Sequence, residues 1–141
     1  MDQDQVSLIQ KALDNENNTS IMKLTHSQIM TEKNDALQKL QLTPNGLKEM
    51  HKKLRSYRYV EDADDINYGT YVRWIKLSDP DSIKLSNGGI LIDIKVTDSG
   101  LQLLCKNNMN RVMQIKLDEC LVFQKLTEQE KIILSVLNHL K

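Results

Sequence analysis

Aromatic residues are scarce in this chain: four Tyr, one Trp and one Phe among 141 residues. Rings therefore cannot fill an interior, and Ile, Leu and Met have to do most of it. Charge of one sign is missing too, because 19 basic residues balance 19 acidic ones. That balance removes any global field that would draw the chain onto nucleic acid or an anionic membrane. No aliphatic run approaches the roughly 20 residues that cross a bilayer; Ile132, Ile133 and Leu134 form one of the longest. The opening "MDQDQVSLIQ" is acidic and polar, where a secretion signal has positive charge and then an apolar run. With only two cysteines, Cys105 and Cys120, the expectation is free, reduced thiols and an intracellular location.

Absent as well are the short patterns that carry chemistry. There is no Gly-rich phosphate loop and no nucleophile elbow. His26, His51 and His139 fall in three different predicted helices, none at zinc spacing from a cysteine. Both cysteines lie in or beside predicted strands, without the activating histidine that a thiol nucleophile needs. The acids Glu61, Asp62, Asp64 and Asp65, then Asp79 and Asp81, lack calcium-loop spacing and read as turn and cap residues. The expectation is a non-enzymatic protein with no cofactor and no metal.

What the first 56 residues do contain is helical spacing. Val6, Ile9 and Leu13 share one face of a short helix, which "DNENNTS" (residues 14–20) ends as a linker. Thr25 and Gln28 form a capping box for a second helix carrying Ile29, Met30, Ala36, Leu37 and Leu40, its stripe interrupted by Lys33. Thr43 followed by Pro44 opens a third, with Leu47, Met50 and Leu54. Each stripe is narrow, so these helices are expected to pack on one another, on the later domain, or on a partner chain.

From residue 57 the period changes to two. In "TYVRWIKL", Tyr71, Arg73, Ile75 and Leu77 point one way and Val72, Trp74 and Lys76 the other. "IKLS" reads as a short strand and "NGG", Asn87 to Gly89, as a tight hairpin turn. Next, "ILIDIKV" puts Ile90, Ile92, Ile94 and Val96 on one face, and "LQLLCK", "RVMQIKL" and "LVFQ" follow, separated by "TDSG" and "NNMN". Five or six short strands so joined predict an antiparallel meander that curls into a small SH3-like β-barrel. Thr127 and Glu130 cap a final helix with Ile132, Ile133, Val136, Leu137 and Leu140, expected to cover an open end. The fold class is thus α+β, with a helical N-terminal segment over 1–56 and a small β-barrel with a C-terminal covering helix over 57–141.

Two surfaces stand out as candidate sites. Lys48, Lys52, Lys53, Arg55 and Arg58, interleaved with Tyr57 and Tyr59, could meet phosphates and stack on bases, although four acids follow at once. Tyr68, Tyr71, Trp74 and Phe123 could line a partner-binding surface, either for a protein or as an aromatic cage for a peptide or methylated lysine. The preferred reading is a structural or protein-interaction module that joins partners, or copies of itself, through its N-terminal helices and one barrel face.

The stretch "YRYVEDADDINYGTYVRWIKL", with "LSNGGILIDIKV", "LLCKNNMNRVMQIKLDECLVFQKL" and "EQEKIILSVLNHL", resembles small uncharacterised proteins of large double-stranded DNA viruses of eukaryotes. That resemblance implies a late viral protein, a structural or core-associated component of the host cytoplasm or the virion. "GTYV" at the start of a barrel is also similar to Tudor and KOW domains, which bind proteins or nucleic acids; a shared fold class does not fix function.

Overall fold

In the computed structural model, described for residues 3–15, 21 and 24–139, four helices accompany six strands. The helices are α1 (Gln3–Asp14), α2 (His26–Gln38), α3 (Pro44–Lys53) and α4 (Glu128–His139). The strands are β1 (Tyr57–Val60), β2 (Tyr71–Lys76), β3 (Gly89–Thr97), β4 (Gly100–Lys106), β5 (Val112–Lys116) and β6 (Cys120–Lys125). The chain divides into two compact units, residues 1–31 with 126–141 and residues 32–125.

In the first unit α1 packs on α4. Its core is Ala12, Ile21, Ile29, Ile133 and Leu134, with Leu13, Leu24, Leu126 and Leu137 against them. Both capping boxes form as the sequence predicts. Gln28 N–H donates to Thr25 Oγ1 while Gln28 Oε1 accepts from Thr25 N, and Thr127 and Glu130 repeat the pair at 3.1 and 2.9 Å. Such caps contribute about 1 kcal/mol each. On α1 the stripe differs from expectation, since Ala12 is buried and Val6 is exposed. The expected linker residues 16–20 and Leu140 lie outside the described residues.

The second unit is one antiparallel sheet in the order β1-β6-β2-β3-β4-β5. Its edges are β1 and β5, each with a single neighbour, so the expected closed barrel does not form: the sheet curls but stays open. The curl is visible in one core that draws on every strand. Val60, Val122, Val72, Trp74, Leu91, Leu103, Cys105 and Ile115 belong to it, and none of its described members lies in α1 to α4. The opposite face of β1, β6 and β2 carries Tyr57, Phe123, Leu121 and Ile75, covered by Ala36, Leu37 and Leu54. Hence β6 is buried on both faces, and Tyr71 and Trp74 look to opposite sides as their spacing predicts.

Lys33 joins α2 to the turn that follows α3. It is buried, and its Nζ donates to Leu54 O at 2.9 Å and Tyr57 O at 3.1 Å. The interruption in the α2 stripe is therefore an inward-facing ammonium that ties α2 to the carbonyls of the turn between α3 and β1.

Two strand expectations need correction. The first concerns "NGG", which turns no hairpin: Leu85 bridges to Ile75 and Gly89 and Ile90 pair with Val72 and Tyr71, so the same stretch runs beside β2 throughout. "IKLS" accordingly contributes one bridge rather than a strand. Gly88 is needed there because φ is +82° and a Cβ would run into Val72 O. The second concerns β3, where Leu91 is buried but Ile90 and Ile92 are each 45% exposed. A register shift between Leu91 and Asp93 inserts one residue, as a β-bulge does, and resets the alternation so that Ile94 packs inward.

Candidate functional site

The curl leaves a cleft open in the sheet unit. Two adjoining recesses of about 400 and 240 Å³ share Lys76, Ser78, Gln114 and Ile115; the larger falls within the roughly 300–1,000 Å³ of small-ligand pockets. Trp74, Met113 and Ile115 supply apolar lining. Lys84 and Ser82 come from the connector between β2 and β3, and Lys116, Glu119 and Cys120 close the smaller recess.

The sequence builds this cleft locally. Ser86 fixes the connector to β2 through three contacts: its N–H donates to Trp74 O at 2.9 Å, its Oγ accepts from Trp74 N at 3.1 Å, and its carbonyl accepts from Arg73 Nε at 2.8 Å. Tyr71 Oη donates to Asn87 O at 2.6 Å. Asp79 serves the loop's own turn, its Oδ1 accepting from Asp81 N. On the other side, Asn107 N donates to Arg111 O at 3.0 Å, which sets the phase of the β4–β5 ladder. Hydrogen-bonded pairs alternate along an antiparallel ladder, so Met113 and Ile115 face β4 with their backbone groups. Val112, Gln114 and Lys116 therefore direct theirs at the open edge.

Successive side chains of a strand leave on opposite faces. Met113, Gln114 and Ile115 nevertheless line one recess, as residues do where a recess lies along the edge of a strand. The cleft is thus a slot between an unpaired strand edge and the pinned connector, 4% exposed Trp74 contributing to its wall.

Its electrostatics are mixed, with a positive surplus. Lys116 Nζ lies 3.6 Å from Glu119 Oε1, whereas Lys76 and Lys84 have no ion pair among the described residues. Cys120 is a poor nucleophile, because burial pushes its thiol up, more than Lys76 beside it pulls it down. Burial pushes Cys105 up from 9.0 to about 12. Among the described residues no group of three or more His, Cys, Asp or Glu could hold a metal ion.

The Cys105 shift carries a pH dependence. Its folded pKa is raised, so the stability it contributes is fully present below pH 9.0 and lost as pH rises toward about 12, by up to about 1.4 kcal/mol per pH unit. Cys120, Tyr57 and Tyr59 are raised by burial and act in the same direction; Lys33, lowered by burial, acts in the opposite one. Urea unfolding from about pH 8 to about pH 11 is expected to show a shallower loss in Cys105→Val than in the wild type. Equal slopes would remove Cys105 as the cause.

The structure scatters the residues that the sequence singled out. Lys48, Lys52, Lys53 and Arg55 are exposed on and just after α3. Tyr57 is in a core and Arg58, 3% exposed, donates from Nη2 to Asp65 O at 2.8 Å. Tyr59 is half-buried against Phe123, ring centroids 5.7 Å apart. The expected interleaving of exposed rings and cations therefore does not arise: the strand turns Tyr57 and Arg58 inward. Nor do Tyr68, Tyr71, Trp74 and Phe123 converge. Tyr68 is 61% exposed, Phe123 is fully buried, and Trp74 lies on the face opposite Tyr71 and Phe123. Of the four, Trp74 alone lines the cleft. Sequence reasoning missed Lys76, Lys84, Ser86 and Gln114. Ser86 and Lys84 sit in a connector whose path is set by Gly88, and only the adjacent "NGG" hinted at a close backbone approach.

The helix stripes offered to a partner are mostly taken up within the chain, in the cores already described; Val6, Leu8 and Met30 are the large apolar helix residues left exposed among those described. No helix of the described residues is long and apolar enough to cross a membrane. Comparison of the chain with protein-family models, with curated proteins and with solved structures gave no match.

Proposed function

We propose that this chain is a non-enzymatic protein-interaction module that receives an extended peptide segment of a partner in the cleft between β5 and the β2–β3 connector. One observation carries the reading: the open edge of β5 and an apolar-walled recess occupy the same place, so unpaired backbone groups and a side-chain pocket face one ligand volume. The burial of both thiols supports binding rather than covalent chemistry. The curl of short antiparallel strands round one core supports an SH3-like kinship for residues 57–125.

Amide NMR of the full chain, titrated with mixtures of capped seven-residue peptides and separately with single-stranded DNA and RNA, tests this. The expected result is a peptide response confined to residues 74–86 and 112–120. No response to any peptide mixture would overturn it, and so would a salt-sensitive nucleic-acid response centred on Lys48, Lys52, Lys53 and Arg55.

A further inference from the structure

The chemistry of the cleft goes further than its shape. We infer that its ligand is an acidic extended peptide that adds to β5 as a seventh strand of the sheet, an inference that rests on the reading just given and names the ligand class for the same site.

Three features converge on this. First, the ladder phase leaves the N–H and C=O groups of Val112, Gln114 and Lys116 pointing away from β4. Gln114 makes no other hydrogen bond among the described residues. The Lys116 C=O is taken by the 3-10 turn Leu117–Glu119 that it caps; an extended backbone laid along the slot meets the remaining groups at the strand spacing of about 4.8 Å and supplies their partners. Second, the slot offers Trp74, Met113 and Ile115 to the ligand side chains that point inward. Alternate residues of a strand share a face, so the ligand needs apolar residues two apart. Third, Lys76 and Lys84 line the slot without ion-pair partners, while Asp79 is engaged in its own turn and Glu119 is paired with Lys116. Acidic residues between the apolar ones would meet these ammonium groups.

A second copy of the chain fits less well. Its β5 would bring a further Lys116 and its own edge Arg111 to a slot already lined by Lys76 and Lys84, and like charges facing each other are unfavourable. Basic and neutral peptides lose the same attraction.

The probe is the capped peptide acetyl-TELEVET-amide, with the lysine counterpart acetyl-TKLKVKT-amide, titrated into the full chain. Trp74 is the only Trp and lines the slot, so its emission reports occupancy directly. The acidic peptide is expected to bind at least about tenfold more tightly than the basic one, and the Lys76→Glu, Lys84→Glu double variant to reverse that order. N-methylation of alternate peptide amides, in one of the two possible phases, is expected to abolish binding, because it removes donors facing β5. Gln114→Pro removes the central edge N–H without touching the β4 ladder and is expected to weaken binding about tenfold or more; its circular dichroism and urea midpoint verify that it folds.

Equal binding of acidic and basic peptides would overturn the charge assignment, and full binding of both N-methylated phases would overturn strand addition; either leaves the peptide-binding reading standing. Absence of binding by both peptides, together with no response to the mixtures above, would sink the reading and this inference together.

Discussion

Gly88→Ala should destabilise the sheet unit by roughly 3 kcal/mol or more, while Gly69→Ala should cost about 1–2 kcal/mol. Both glycines have positive φ, +82° and +80°, so the conformational part of the cost is shared. They differ in what a Cβ would meet. At Gly69 there is nothing within 4 Å, whereas at Gly88 a methyl would overlap Val72 O and approach Arg73 Cγ to 2.9 Å and Tyr71 Cε1 to 3.0 Å. The first obstacle is backbone of β2, held on its far side by β6, and cannot step aside as a flexible side chain would. Equilibrium urea unfolding of the two variants measures the difference. Similar losses at both positions would mean that β2 yields to the methyl, and that the close approach at Asn87 to Gly89 is not what fixes the connector.

The other large effect is at Phe123. Phe123→Ala should cost about 3–5 kcal/mol, a substantial part of the 5–15 kcal/mol typical of a whole domain. Phe123 is fully buried on β6, an interior strand of the sheet. It stands in register between Tyr59 of β1 and Arg73 of β2 and packs among Ala36, Leu37, Leu54 and Leu121. Truncation would open a void beneath the helices that the sheet cannot fill, because β6 is paired on both sides. Urea unfolding monitored by circular dichroism would show the loss, with Phe123→Leu losing less. A loss under about 1 kcal/mol would show that the helix-covered face repacks freely, contrary to the density of native cores.

How much of this was legible in the residues depends on the range of the interaction involved. The capping boxes at Thr25 and Thr127 and the cap at Thr43 were readable because all their partners lie within three residues. The faces of β2, β4 and β5 followed from a period of two. Lys33 could not be read: its acceptors, Leu54 and Tyr57, are 21 and 24 residues away, and a lysine inside a stripe is ordinarily solvated. The single face expected of Ile90, Ile92 and Ile94 is split because a bulge is a local choice made by the ladder, invisible to an alternation count. Barrel closure failed for a similar reason, since curling is favoured by short strands whereas joining β5 to β1 requires edges to meet. The candidate cleft was legible only at Trp74, as its other walls come together through the path of the connector.

Placing β6 between β1 and β2 has a consequence for biosynthesis. Tyr57 pairs with Lys125 and Val72 with Gln124, so the hydrogen bonds that join the two earlier strands are supplied by nearly the last residues of the sheet to be translated. A nascent chain leaving the ribosome holds β1 and β2 without their shared neighbour until about residue 125 has emerged. Such distant pairing slows folding through its loop-closure entropy, and the exposed Tyr57 and Ile75 faces are what a chaperone would meet in that interval.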